Sequence, residues 1–249
     1  MKKKRGKDTE KRVVAYWTKR AESFSDERRK ELRGALGERW DKALVDALGA
    51  EDLAGQKILD AGCGSGELAI LLARHGCKVT GIDLTPAMIK EARALAAEEG
   101  LDITFEVMDA QDPDLPANSF DYVISRNLTW TLTNVEKAYT SWHRLLRDGG
   151  KMVNFDANYG QMTRELQMDG AADEMPGYEH KAVLEELFEE HKAITEFLKI
   201  SREDRPRWDL MTLMRIGYRE CGVDVGAGSR IYEDEHDPGS AVFMVQATK

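Results

Sequence analysis

The sequence predicts an α/β fold, a mostly parallel sheet with helices on both faces. Three observations predict it. From Lys57 onward short apolar runs alternate with stretches of helical periodicity. The breaks between them carry helix start and stop residues. The first apolar run, in "ILDAGCGSGELAI" (58–70), turns toward the first of these helices through three glycines at every second position.

The elements follow in order. Residues from about Thr9 to Leu48 read as helices, with Val13, Tyr16, Trp17 and Ala21 at helical spacing. "KILDAG" (57–62) is a strand and "ELAILLARHG" (67–76) a helix closed by Gly76. "KVTGID" (78–83) is a strand. The helix "TPAMIKEARALAAEEG" (85–100) has Thr85 as N-cap, Pro86 at its first position and Gly100 past its end. "ITFEVMD" (103–109) and "FDYVISR" (120–126) are strands separated by the loop "AQDPDLPANS". "VEKAYTSWHRLLRDGG" (135–150) reads as a helix ending in a glycine pair, and "KMVNFDA" (151–157) as a strand. A longer segment, 160–207, contains the helical stretch "HKAVLEELFEEHKAITEFLKI" and precedes the helix "WDLMTLMRIGYREC" (208–221). Strands alternating with helices imply a parallel sheet covered on both sides. In such sheets ligands bind beyond the carboxyl ends of the strands, near the switch point.

Composition limits the possibilities. The 249 residues suit one large domain, and a hydrophobic fraction of 42% is ordinary for a globular protein. No apolar run is long enough to cross a bilayer. The basic start "MKKKRGKDTEKR" runs into charged sequence, where a secretory signal would turn apolar. Cys63, Cys77 and Cys221 are odd in number and lack metal-ligand spacing, so neither a disulfide framework nor a metal site is expected. Together these point to a reducing cytoplasm. A net charge of −9 argues against a nucleic-acid partner.

Gly62, Gly64 and Gly66 lie where the first strand becomes a helix, and lacking Cβ they permit positive φ and close approach to the backbone. The helix beyond offers unpaired N–H groups. A dinucleotide fingerprint would need glycine at 67, where Glu67 stands, so the loop is G-x-G-x-G preceded by Asp60. Asp83 ends the second strand, where a carboxylate can take both hydroxyls of a ribose. Asp109 ends the third, placed to accept from the exocyclic amine of adenine. Any one could be a solvated strand-end acid; three in register at consecutive strand ends form a pattern.

With those residues in place, the chain resembles the class I S-adenosylmethionine-dependent methyltransferases, of the broad group that includes the ubiquinone and menaquinone C-methyltransferases. The resemblance covers about 57–157 through "ILDAGCGSGELA", "VTGIDLTPAMIKEARA", "VMDAQDPDLPANSFDYVISRN" and "AYTSWHRLLRDGGKMV". It implies a Rossmann-like sheet of seven strands whose last runs antiparallel, with "VDVGAGSRIYE" and "SAVFMVQATK" as a final hairpin. It implies S-adenosyl-L-methionine as cofactor and S-adenosyl-L-homocysteine as product. Asp60, Gly62, Cys63, Gly64 and Gly66 would surround the methionyl part, Asp83 would hold the ribose and Leu84 would lie against the adenine. Asp109 and the backbone at Ala110 would read the adenine edge, and the Arg126 carbonyl would take the amino group. Residues 1–50 would form a helical cap on a methyltransferase domain spanning 51–249, with a lid insertion at about 160–207.

The reaction expected is in-line transfer of an activated methyl to a small-molecule acceptor, cationic or aromatic, for which alignment and exclusion of water matter most. The proline-containing tetrapeptide of base amino-methyltransferases is replaced here by "SRNLTW", and the acids of catechol-type, metal-assisted enzymes match only in part. For acceptor chemistry the strand ends offer Asn127 and Asp156, with Trp130, Asn158 and Tyr159 beside them and Tyr16 closing the opposite side. Asp156 reads equally as a group that accepts a proton or holds a cationic amine and as a hydrogen-bonded loop anchor. His191 reads as a base or as a packed histidine on the apolar edge of its helix. Trp130 reads as an acceptor platform or as core. A protein or tRNA acceptor, and a module that binds the cofactor without turnover, are the competing readings; a monomer or homodimer is expected.

Overall fold

A computed structural model describes residues 2–162, 190, 192–233 and 241–249. Two helices come first, α1 (Lys2–Leu32) and α2 (Ala35–Leu48). They meet so closely that a Cβ on Gly37 would lie 2.6 Å from the Glu31 carbonyl oxygen. The alternating pattern then appears as β1 (Lys57–Ala61), α3 (Glu67–Arg74), β2 (Lys78–Asp83), α4 (Pro86–Glu98), β3 (Thr104–Val107) and β4 (Phe120–Arg126). A 3-10 turn (Thr129–Thr131), α5 (Val135–Leu145) and β5 (Leu146–Asp156) follow. After a second 3-10 turn (Lys199–Arg202) come α6 (Arg207–Ile216), β6 (Arg219–Asp224), α7 (Ala227–Tyr232) and β7 (Phe243–Thr248).

The seven strands lie in the order β3-β2-β1-β4-β5-β7-β6. β1 to β5 pair in parallel, whereas β7 runs antiparallel to both β5 and β6. The order reverses between β1 and β4, so a crevice opens at the carboxyl ends of those two strands. One face of the sheet buries Trp40 and Leu44 of α2, Ile70 and Leu72 of α3, Leu95 of α4 and Ile231 of α7. The other buries Tyr139 and Trp142 of α5, Leu213 of α6 and Tyr16 of α1.

Three boundaries differ from the sequence reading. The helix expected through Gly150 stops at Leu145, because Leu146 already pairs with Phe120 as the start of β5. The helix expected over 208–221 stops at Gly217, whose φ of 110° ends it and leaves Arg219–Asp224 to form β6. The stretch expected to open the final hairpin contains α7, although β6 and β7 do pair antiparallel with Val223 opposite Val245. The expected lid helix falls largely on 163–189, which with His191 lies outside the described residues. Its flanks meet, since a Cβ on Gly160 would lie 2.5 Å from Ser201. Among the described residues no helix is long and apolar enough to cross a membrane. Nor, among them, do three or more His, Cys, Asp or Glu gather to hold a metal.

Candidate functional site

The glycine loop leaves β1 at the switch point and is pinned to β2 through Gly62 and Cys63 N–H groups that donate to the Ile82 carbonyl at 2.8 and 2.9 Å. Gly62, Gly64 and Gly66 all have positive φ (72°, 51° and 87°), a region L side chains rarely adopt. Their missing Cβ atoms make room for different neighbours. A Cβ on Gly62 would meet Leu128 at 2.6 Å, one on Gly64 would touch Phe24 of α1 at 3.4 Å, and one on Gly66 would collide with Phe105 at 2.9 Å. Room that the sequence assigned wholly to a ligand is thus shared with the protein's own side chains. Cys63 is buried, and a Cβ on Gly81 would lie 3.1 Å from its sulfur, so the thiol turns to the sheet and not to the crevice.

The three strand-end acids stand side by side in different states. Asp60 is buried, and its Oδ2 has no hydrogen-bond partner. Burial pushes its carboxyl up to about 7, helped by Asp83 and Glu67 and opposed by the Ala69 N–H and Arg126. Asp83 is half-buried and accepts from the Gly64 N–H at 3.2 Å and the Thr85 N–H at 2.8 Å; burial raises its pKa as well. Leu84 beside it is half-buried. Asp109 accepts from the Gln111 N–H at 2.8 Å and from the Gln111 amide at 3.2 Å. That amide also reaches Glu10 of α1, while its oxygen accepts from Thr133 and the Asn134 N–H. The Ala110 carbonyl accepts from the Trp142 indole at 2.9 Å, which fixes the backbone next to Asp109.

The Arg126 side chain has a role that the sequence did not show. Its guanidinium donates to Glu67 at 2.6 Å, to Glu31 at 2.8 Å and to the Tyr232 hydroxyl at 3.0 Å, and lies 3.9 Å from the Trp40 ring centroid. It therefore locks α1, the first turn of α3 and α7 to the end of β4. Asn127 follows at φ 52°, its N–H donating to the Phe155 carbonyl and its buried Oδ1 without a partner.

On the β4 and β5 side Trp130 is buried and packs on Tyr159, ring centroids 4.8 Å apart. Asn158 forms a short turn with Gln161. Asp156 is wholly buried and accepts from the Thr129 hydroxyl, the Trp130 N–H at 3.1 Å and the Ala157 N–H at 2.8 Å, with Arg205 at 3.4 Å. Neither carboxylate oxygen is exposed to solvent. Tyr16, expected at the acceptor, is 2% exposed, edge-on to Trp17 and packed in the core with Leu59 and Ile82.

The residues that sequence reasoning missed come mostly from α1. Phe24, Arg28 and Glu31 follow Trp17 at spacings of seven, four and three, one helical face laid against the glycine loop. The spacing was visible; what it faced was not.

Residues 58–150 match a family described as a methyltransferase domain. An aklanonic acid methyltransferase of Streptomyces sp. (strain C5) is 38% identical over 117 residues, 45% of this chain and 52% of the relative. An S-adenosyl-L-methionine-dependent Diels-Alderase of Talaromyces variabilis is 31% identical over 153 residues, 53% of this chain and 52% of the relative. The solved structure of Haemonchus contortus phosphoethanolamine N-methyltransferase 2 in complex with S-adenosyl-L-methionine has a TM-score of 0.57 at 20% identity. It covers 84% of this chain and 52% of that one, a likeness of fold. The chain spans about half the length of the relatives it matches.

Proposed function

We propose that this chain, whose residues 58–150 match a methyltransferase-domain family, is an S-adenosylmethionine-dependent methyltransferase acting on a small molecule. One observation carries the reading. Buried polar atoms without partners gather around the glycine loop, namely Asp60 Oδ2, Asn127 Oδ1, Glu67 Oε1 and Arg28 Nε. Buried polar groups are ordinarily satisfied, so this set fits a ligand with polar ends of both signs.

Asp83 would hold the ribose hydroxyls, and Asp109, braced by Gln111, would face the adenine beside Leu84. The cofactor supplies a methyl already activated on a sulfonium. What this chain adds is alignment of the acceptor and exclusion of water. Trp130 and Tyr159 offer an apolar wall at the ends of β4 and β5. Residues 1–50 act as a cap through α1, and 160–207 as an insertion whose flanks converge at Gly160 and Ser201. An aromatic acceptor suits the paired rings of Trp130 and Tyr159, and a methyltransferase named for aklanonic acid is among the relatives. Asp156 positions the 3-10 turn carrying Trp130 and does not transfer a proton.

The test is calorimetric binding of S-adenosylmethionine and S-adenosylhomocysteine, followed by transfer of labelled methyl to a panel of polycyclic phenols and carboxylic acids. Micromolar binding with product formation is expected. No binding by folded protein overturns the proposal. Binding without methyl release on any acceptor would favour the second reading, a chain that binds the cofactor without transferring its methyl; one relative is named as an S-adenosyl-L-methionine-dependent Diels-Alderase.

A pH dependence follows from Asp60. A cationic ligand group beside it favours the ionised carboxylate, so binding releases a proton wherever the free carboxyl is protonated. Affinity for S-adenosylmethionine is expected to rise by up to about tenfold per pH unit below the Asp60 value of about 7 and to level off above it. The ligand-free fold shows the reverse. With the carboxyl raised from 3.8 to about 7, this group's contribution to stability is complete at low pH and lost as pH climbs through that interval. Calorimetry across pH on the wild type and Asp60→Asn checks this, and equal slopes for the two would refute it.

A further inference from the structure

We propose that Arg28 of α1 reads the carboxylate of the bound cofactor's amino-acid end and thereby clamps α1 over the glycine loop. The inference rests on the cofactor reading above and adds the residue that recognises one end of it.

Arg28 stands one turn beyond Phe24, its guanidinium 4.7 Å from that ring's centroid, and Phe24 is the side chain against Gly64. It pairs with Glu31 and lies 3.9 Å from Glu67, in the first turn of the helix that follows the loop. Its Nε is buried with no acceptor. The charges around it already balance: Arg28 and Arg126 face Glu31 and Glu67, each carboxylate within reach of both guanidiniums. A zwitterion adds no net charge to those pairs. The unpartnered atoms match such a group. Asp60 Oδ2, Asn127 Oδ1 and Glu67 Oε1 accept, as an ammonium requires, and Arg28 Nε donates, as a carboxylate requires.

The neighbours exclude simpler roles. Arg126 already bridges Glu31 and Glu67 without Arg28, so the link between α1 and α3 does not need a second guanidinium. The outer face of α1 is held to α4 separately, by Arg29 and Arg33 on Glu98. A second, largely buried arginine beside Arg126 is disfavoured by desolvation and by like charge. An incoming carboxylate offsets both effects by attraction.

The test compares ligands that differ only at the amino-acid end. S-adenosylhomocysteine, its decarboxylated analogue and 5′-deoxy-5′-methylthioadenosine are titrated into the wild type, Arg28→Met and Arg28→Lys. Arg28→Met is expected to lose about 10- to 100-fold in affinity for S-adenosylhomocysteine, the range of a charged hydrogen bond. It should bind the two ligands lacking the carboxylate within about twofold of the wild type, and Arg28→Lys should recover part of the loss. Because each variant is its own control, a variant that folded poorly would lose all three ligands alike; Arg28→Lys then decides, through its preference for S-adenosylhomocysteine over the decarboxylated analogue. An unchanged affinity for S-adenosylhomocysteine in Arg28→Met overturns this assignment alone. A wild type that binds none of the three overturns the cofactor reading and this inference with it.

Discussion

Asp83→Ala is expected to lower affinity for S-adenosylmethionine and S-adenosylhomocysteine by at least about 100-fold. The size follows from two charge-assisted hydrogen bonds to the ribose diol, each contributing about 1.5–3 kcal/mol. The carboxylate is poised for this at the end of β2, half-buried, with one oxygen on the Thr85 N–H and the other at 3.2 Å from the Gly64 N–H. Those backbone donors fix its rotamer, so little ordering remains to be done when a diol arrives. They also tie the loop to β2, and loss of the anchor must be separated from loss of the ligand contact. Asp83→Asn serves for that. It keeps an acceptor for one backbone N–H but carries no charge, and it should fall between the wild type and Asp83→Ala in affinity while unfolding near the wild-type temperature. Calorimetry with circular dichroism makes the comparison. An Asp83→Ala protein that is folded and binds within about threefold of the wild type would remove the ribose from β2.

This site was legible where local rules and one strand register determine it. Asp60, Asp83 and Asp109 could be placed because each ends an apolar run, and parallel pairing brings consecutive strand ends to one edge. Helix ends marked by Thr85–Pro86 and Gly76 were likewise readable from cap chemistry. The reading failed where a partner distant in sequence decides. Leu146 reads as helix from "SWHRLL" until Phe120 pairs with it. Arg126 and Glu67 are 59 residues apart, and Arg126 and Glu31 are 95 apart, so nothing local announces their cluster. Glu67 served in the sequence only to exclude a dinucleotide motif; in the fold it is one of the four buried charges on which the clamp depends. Asp156 shows the same limit, since the arginine that neutralises it, Arg205, is 49 residues further along the chain.

Arg205→Met is expected to cost about 3–5 kcal/mol of stability, the range for breaking a buried ion pair by removing one partner. The guanidinium is almost wholly buried between two wholly buried carboxylates. It donates to Asp209 through Nε and NH2, each at 2.8 Å, approaches Asp156 at 3.4 Å and gives a further bond to the Thr129 hydroxyl at 2.7 Å. Tyr139 adds its hydroxyl to Asp209 at 2.6 Å, and Asn154 bridges Thr129 and Tyr139. Methionine fills much of the same volume, so the loss reports charge more than cavity. Burial raises the Asp156 carboxyl and Arg205 holds it down. Without the arginine Asp156 takes up a proton more readily. The penalty relative to the wild type is therefore largest at high pH and shrinks as pH falls through the raised Asp156 value. Asp156→Asn placed on Arg205→Met should recover part of the loss at neutral pH, because it removes one of the stranded charges. Thermal and urea unfolding of the wild type, Arg205→Met, Asp156→Asn and the double variant across pH makes the measurement. A loss in Arg205→Met that does not change with pH and that Asp156→Asn does not relieve would mean that Arg205 acts through packing alone. The turn carrying Trp130 would then owe its place to something other than this network.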